Sequence, residues 1–243
     1  MAMSADPPTD DKRCTHKLTR ESVLSGEMRR LIEQRDPSVR VIPDAEHCAS
    51  VAAILDRRPD SAGDVWLFAY GSLIWNPMIH FVDKRIATVH GYHRRFCLWT
   101  HLGRGSAEAP GLILGLDRGG ACRGVVYRIE AAAAQAELEL LWRREMITGA
   151  YCPRWVRVAT EDDKSVWAIA FLINRSHPRY AGLIPEDRIV ESIARAHGAL
   201  GPCASYLFDT AQHLQDLGIR DTQLSRLRDR VAQVLERQKK RPE

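Results

Sequence analysis

Glu145 stands near the end of the stretch EAAAAQAELELLWRREMITG, whose alanine, glutamate and leucine content predicts a helix. At 100° per residue, Leu138, Leu141 and Trp142 fall within about 60° of it, while Arg143 and Arg144 diverge by about 200° and 100°. The spacing therefore places a carboxylate on an apolar face, at the negative end of a helix dipole. Burial and the dipole both disfavour the ionised form and raise its pKa. A carboxyl group titrating nearer neutrality suits a general base. A side chain that leans outward and pairs with a neighbouring arginine fits the same spacing equally well.

A second candidate lies in VWLFAYGSLIWNP, Val65 to Pro77, where Gly71 and Ser72 break an apolar run. A hydrolase serine would sit in G-x-S-x-G, because the tight strand-to-helix turn needs glycine on both sides. Here the five residues are Tyr70, Gly71, Ser72, Leu73 and Ile74, and neither flanking glycine is present. Glycine at a strand end instead lets backbone amides converge as a small donor nest, able to hold a carboxylate or a developing oxyanion. On spacing alone, an ordinary turn in which Ser72 caps the next segment is the plainer reading.

Other constellations fall short. Gly111, Gly115, Gly119 and Gly120 do not form G-x-G-x-x-G, and no Walker lysine is present. His90 and His93 would point to opposite faces of a strand, so with Cys97 they make a poor metal site. The 6 cysteines are scattered without a CxxC pair, which indicates neither a zinc knuckle nor a redox motif.

The elements that must position these residues read as strands first and helices later. VWLFAY, RIATVHGYHRRFCLW, GLILGL, GVVYRI, RWVRVAT and SVWAIAFLI are rich in β-branched and aromatic residues and bounded by Gly, Pro and Asp. One helix interrupts them, and three more come after Pro178; the last carries Leu224, Leu227, Val231 and Val234 on one stripe, capped by Asp221 or Thr222. This order lacks βαβ alternation. It predicts an α+β fold, a small, mostly antiparallel β-barrel flanked by helices with a helical C-terminal third. Upstream, the residues before about Thr19 look unstructured, with one helix over Thr19 to Leu31 and another around Cys48 to Leu55.

At 243 residues the chain suits one sizeable domain, and a formal charge of +4 is too weak to point to nucleic acid. No apolar run approaches a membrane span, and the N-terminal stretch lacks the apolar core of a signal peptide. A cytoplasmic location is the expectation.

Taken together, FAYGSLIWNP, GYHRRF, GVVYRI, WRREMITGAY and YLFDTAQHL resemble, in order and spacing, the ChaC-type γ-glutamylcyclotransferases. The resemblance runs from about Val65 to Leu217. It implies a catalytic domain over about residues 63–238, preceded by an extension of residues 1–62 and ending in a basic tail, 239–243. It implies cleavage of glutathione to 5-oxoproline and cysteinylglycine without a cofactor or metal, the partner being a small γ-glutamyl peptide. It also implies Glu145 as the catalytic acid/base and a substrate-holding loop of Leu67, Phe68, Ala69, Tyr70, Gly71 and Ser72, with Tyr206 near the pocket. Ala69 departs from the glycine of many members, and its methyl could narrow the loop's approach to substrate. Trp75, Phe68 and Trp142 are candidates for excluding water.

Three questions stay open in the sequence. The same cyclisation could act on another γ-glutamyl compound, or the pocket could serve a non-catalytic binding module. Arg94, Arg95, Arg104 and Arg123 could meet a substrate carboxylate or be solvated surface charge. Residues 1–60 could tether a partner or cover the pocket.

Overall fold

Two long antiparallel strands organise the molecule, a computed structural model that describes residues 18–35, 39–60, 63–162 and 164–240. Strand β1 (Val65–Ala69) is followed by β2 (Asp83–Thr100) and β3 (Gly111–Ile129), and the latter two pair along almost their full lengths. GLILGL and GVVYRI, which read as separate strands in the sequence, are the two halves of β3. The polar stretch between them stays in the ladder, with His93 opposite Asp117 and Val89 opposite Cys122. The irregularity is absorbed by a register shift between His90 and Tyr92, around Gly91 at φ 84°, so the strand bends without ending.

Strands β4 (Tyr151–Thr160) and β5 (Ser165–Ile173) complete a closed barrel in the order β1-β3-β2-β4-β5. All of these neighbours run antiparallel, and a parallel pairing of β1 with β5 at Trp66–Ala168 and Leu67–Ile169 closes the ring. The architecture is the expected α+β one. The barrel holds a dry core in which Leu67, Leu98, Leu112, Leu116, Ile129 and Ile169 are fully buried.

Seven helices surround it among the described residues: α1 (Arg20–Leu24), α2 (Glu27–Arg35), α3 (Asp44–Asp56), α4 (Ala131–Glu145), α5 (Glu186–Arg195), α6 (Cys203–Asp216) and α7 (Thr222–Lys239). The single helix expected over Thr19 to Leu31 is two, parted at Gly26, whose φ of 70° no helix interior accepts. Thr19 caps α1 through a reciprocal box with Ser22, and the Asp221 carboxylate caps α7 by accepting from the Leu224 amide. The segment expected to be unstructured lies, except for its last two residues, outside the described residues, as do residues 241–243 of the tail.

Helix α4 is the joint between barrel and extension. Its stripe of Leu138, Leu141 and Trp142 is fully buried, each such side chain contributing about 1.5–3 kcal/mol of burial energy. The described residues of 18–35 and 39–56 dock onto this helix and the turn after it. Arg20 donates to both oxygens of Glu137 at 2.7 and 2.9 Å and to the Met78 carbonyl at 2.9 Å. The Trp142 indole donates to Ser50 Oγ at 3.0 Å, and the Ile42 amide to the Ile147 carbonyl at 2.8 Å. No helix among the described residues is long and apolar enough to cross a membrane.

Candidate active site

Strand β1 ends at Ala69, and the chain leaves the barrel through Tyr70 and Gly71 into a single 3-10 turn, Ser72–Ile74. The first hydrogen bond of that turn runs from the Ile74 amide to the Gly71 carbonyl at 2.9 Å, so the Ser72 and Leu73 amides precede it and have no partner within the turn. Tyr70 is clamped on both sides. Its hydroxyl donates to the Phe171 carbonyl at 2.7 Å, and its own carbonyl accepts from Arg94 at 2.7 Å. Gly71 sits in close quarters: a Cβ there would lie 3.1 Å from the Tyr206 hydroxyl, which would have to give by a few tenths of an ångström.

Glu145 is the last residue of α4, and only 15% of its side-chain surface is exposed. Burial pushes its carboxyl pKa above the ordinary value, and the adjacent Arg144 guanidinium only partly offsets this. The carboxyl is therefore buried, as one sequence reading has it, and also paired with a neighbouring arginine, as the other has it, but without leaning outward. Arg144 Nε lies 2.8 Å from Glu145 Oε1, while Nη2 of the same guanidinium donates to Ser72 Oγ at 2.9 Å and Nη1 donates to the Asn76 carbonyl. One buried arginine thus ties the catalytic candidate to the glycine–serine loop. Sequence spacing does not reveal Arg144, because helical angles alone point it away; its length and its place at the helix end let it fold back.

Gly71, Ser72, Glu145, Tyr70, Tyr151 and Tyr206 surround a recess of about 20 Å³, enough for one water-sized group. Ser72, Glu145, Tyr151 and Tyr206 also border a second cavity of about 440 Å³, so recess and chamber share a wall made of these four residues. Burial pushes the Tyr70, Tyr151 and Tyr206 hydroxyls above their usual range, which keeps them protonated at neutral pH. Tyr151 donates to the Leu114 carbonyl at 2.9 Å. The Ser72 hydroxyl accepts from a guanidinium, and among the described residues no histidine hydrogen-bonds to it, so Ser72 lacks the adjacent histidine base of a serine nucleophile.

Leu67, Phe68 and Ala69 do not join this constellation. All three are fully buried in β1, paired with Tyr127, Val126 and Val125 of β3, and line neither cavity. The Ala69 methyl therefore belongs to the barrel wall and does not narrow the loop's approach to a ligand. Of the aromatic water-excluders, Trp75 borders the chamber, whereas Phe68 and Trp142 lie in the core.

The four candidate arginines separate. Arg94 is buried and pairs with Asp221 at 2.9 Å, so it holds the loop and is not surface charge. Arg95 lies against buried Asp117 at 3.3 Å. Arg123 forms a surface ion pair with Glu161, and Arg104 lines the chamber. His93 Nδ1 lies 2.9 Å from the Gly119 carbonyl, which can only accept, and among the described residues no cluster of three or more His, Cys, Asp or Glu could hold a metal ion.

A family profile described as ChaC-like protein matches residues 65–234, which include the loop, α4 and every barrel strand. The chain belongs to the ChaC-like family. Its relatives in this family include the glutathione-specific γ-glutamylcyclotransferase of Escherichia coli, 44% identical over 190 residues that cover 78% of this chain and 82% of that protein. The human glutathione-specific γ-glutamylcyclotransferase 1 is 32% identical over 186 residues, 73% of this chain and 84% of its own. The ChaC-like barrel also matches a crystal structure of a yeast γ-glutamylcyclotransferase specific to glutathione. The TM-score is 0.66 at 22% identity, covering 71% of this chain and 97% of the yeast one, which is agreement in fold.

Proposed function

We propose that this protein is a γ-glutamylcyclotransferase that cleaves glutathione to 5-oxoproline and cysteinylglycine, with Glu145 as its acid/base. The observation that carries the reading is a single carboxyl group of raised pKa at the junction of recess and chamber, held through Arg144 against the glycine–serine loop. The family and the names of its relatives support the same substrate.

The chemistry needs no nucleophile from the protein. The γ-glutamyl α-amine attacks its own γ-carbonyl, a five-membered lactam forms, and the bond to the cysteinyl nitrogen breaks. Because nucleophile and electrophile belong to one molecule, the site has only to hold the chain curled and move a proton. A free α-amine titrates near ~8, so at neutral pH it arrives mostly protonated. Glu145 takes that proton and delivers it to the departing amine, while the second proton shed as the attacking nitrogen becomes the lactam N–H leaves with the released amine as its ammonium. No water is consumed, and the protein ends as it began. The Ser72 and Leu73 amides and the protonated Tyr206 hydroxyl lie beside the recess as donors for the tetrahedral oxyanion, each such donor worth about 3–4 kcal/mol in comparable sites.

Mass spectrometry of products after incubation with glutathione tests the reading. The expected pair is 5-oxoproline with cysteinylglycine, lost in Glu145→Gln. Free glutamate would mean that water performs the attack, and near-normal turnover by the variant would remove Glu145 from the mechanism.

A further inference from the structure

The chamber has a wall that the ChaC-like match, which begins at residue 65, does not include. Ser22, Val23 and Leu24 of α1 and Met28 of α2 line it together with Trp75, Glu145 and Tyr206. Its volume of about 440 Å³ lies within the range of small-molecule sites, whereas the recess beside the loop has about 20 Å³. The cyclisation fixes where each half of the substrate can go. The scissile carbonyl must sit where Glu145 and the loop amides meet. The departing peptide must then extend toward space, and the recess has none to offer.

The wall is also fixed in place. The Arg20–Glu137 pair holds α1 against α4, Asn76 Nδ2 donates to the Leu18 carbonyl at 2.9 Å, and His47 Nε2 lies 3.2 Å from the carbonyl of Met146, the residue after Glu145. An element anchored to both the loop and the catalytic helix acts as part of the binding surface.

Resting on the function proposed above, we propose that helices α1 and α2 form the subsite for the leaving peptide, with Leu24 and Met28 as the residues that set how large a leaving group is accepted. Both side chains line the chamber, and neither belongs to the catalytic loop or to α4. Their apolar surface suits the cysteinyl side chain, a small soft group, and they stand apart from the reacting bond.

The test compares two substrates with the same γ-glutamyl head: glutathione, and γ-glutamylmethylamide, whose leaving amine carries one carbon. In Leu24→Trp and Met28→Trp, KM for glutathione should rise about tenfold or more, while kcat/KM for the methylamide stays within about twofold. Equal changes on both substrates, or none on either, would overturn the assignment. Should a tryptophan unsettle the helix, Leu24→Ala and Met28→Ala keep the question answerable. Widening the chamber should raise kcat/KM for a γ-glutamyl tripeptide relative to glutathione, and an unchanged ratio would count against the subsite. A wild-type protein that forms 5-oxoproline from neither compound would instead remove the cyclotransferase reading itself, a separate result.

Discussion

Helix α4 carries two largely buried carboxylates, Glu137 and Glu145, each beside an arginine, and they have opposite prospects. Glu137 receives both terminal nitrogens of Arg20 at 2.7 and 2.9 Å and the His80 amide at 3.1 Å, so its oxygens are fully engaged. Glu145 has one ion pair, to Arg144 Nε, and among the described residues no further donor. Saturating a buried carboxylate with donors fixes it as a structural pin; leaving it half-served stores reactivity in a raised proton affinity. On the function proposed above, the same residue type on one helix serves as strut or base according to how many donors its neighbours supply.

The sharpest way to break this contrast is to neutralise each acid in turn. Glu145→Gln should lower 5-oxoproline formation by about a thousandfold, within the range for a lost general acid/base. Its thermal midpoint should hold or rise, because the substitution removes an ionisable group whose charged form burial disfavours. Glu137→Gln should do the reverse. It should cost about 2 kcal/mol of stability, read from denaturant unfolding, while kcat in the folded fraction changes little. If Glu137→Gln proved as inactive as Glu145→Gln without unfolding, the division between strut and base would fail.

Arg144 sharpens the same comparison. Its guanidinium lowers the Glu145 pKa against the larger upward push of burial, so removing it should drive that pKa higher still. Glu145 must be ionised to accept the amine proton, so the acid limb of the kcat profile should move to higher pH in Arg144→Met. Near neutrality the rate should fall about tenfold and partly recover as pH rises. A rate loss with an unmoved acid limb would assign Arg144 to shaping the loop through Ser72 and Asn76 alone.

How much of this is legible in the sequence depends on which interactions are local. The apolar stripe around Glu145 and the break at Gly71–Ser72 are written in spacing, and periodicity recovers them. The barrel is readable too, except that β3 reads as two strands, because a polar stretch held in a long ladder by its partner strand looks like a turn when read alone. The loop reads as too wide for a related reason. Leu67, Phe68 and Ala69 adjoin it in sequence, but they are fully buried in β1, alternate between its two faces and line neither cavity. Arg20–Glu137, Arg144–Ser72 and Arg94–Tyr70 join residues 117, 72 and 24 positions apart, and no single-sequence pattern reports such pairs. The contribution of α1 and α2 to the chamber lining is present in the sequence only as the open possibility that residues 1–60 cover the pocket, because no local pattern reports which residues they pack against.

A third buried carboxylate supplies the smallest and most specific check. Asp117 on β3 is 1% exposed, and burial alone would raise its pKa, yet donors outnumber the penalty: Arg175 at 2.6 Å, Tyr180 at 2.8 Å and the Arg118 amide at 2.8 Å hold it below the ordinary aspartate value of 3.8. A depressed folded-state pKa means that the unfolded chain binds the proton more readily. The group's contribution is therefore complete above the unfolded value and disappears as pH falls through the folded one. Thermal midpoints taken from about pH 5 downward should fall in the native protein below about pH 4, and fall less steeply in Asp117→Asn, which has already lost the charge. Parallel slopes in the two proteins would show that Asp117 is no strut, and would leave donor number without its predictive value for the acids of this fold.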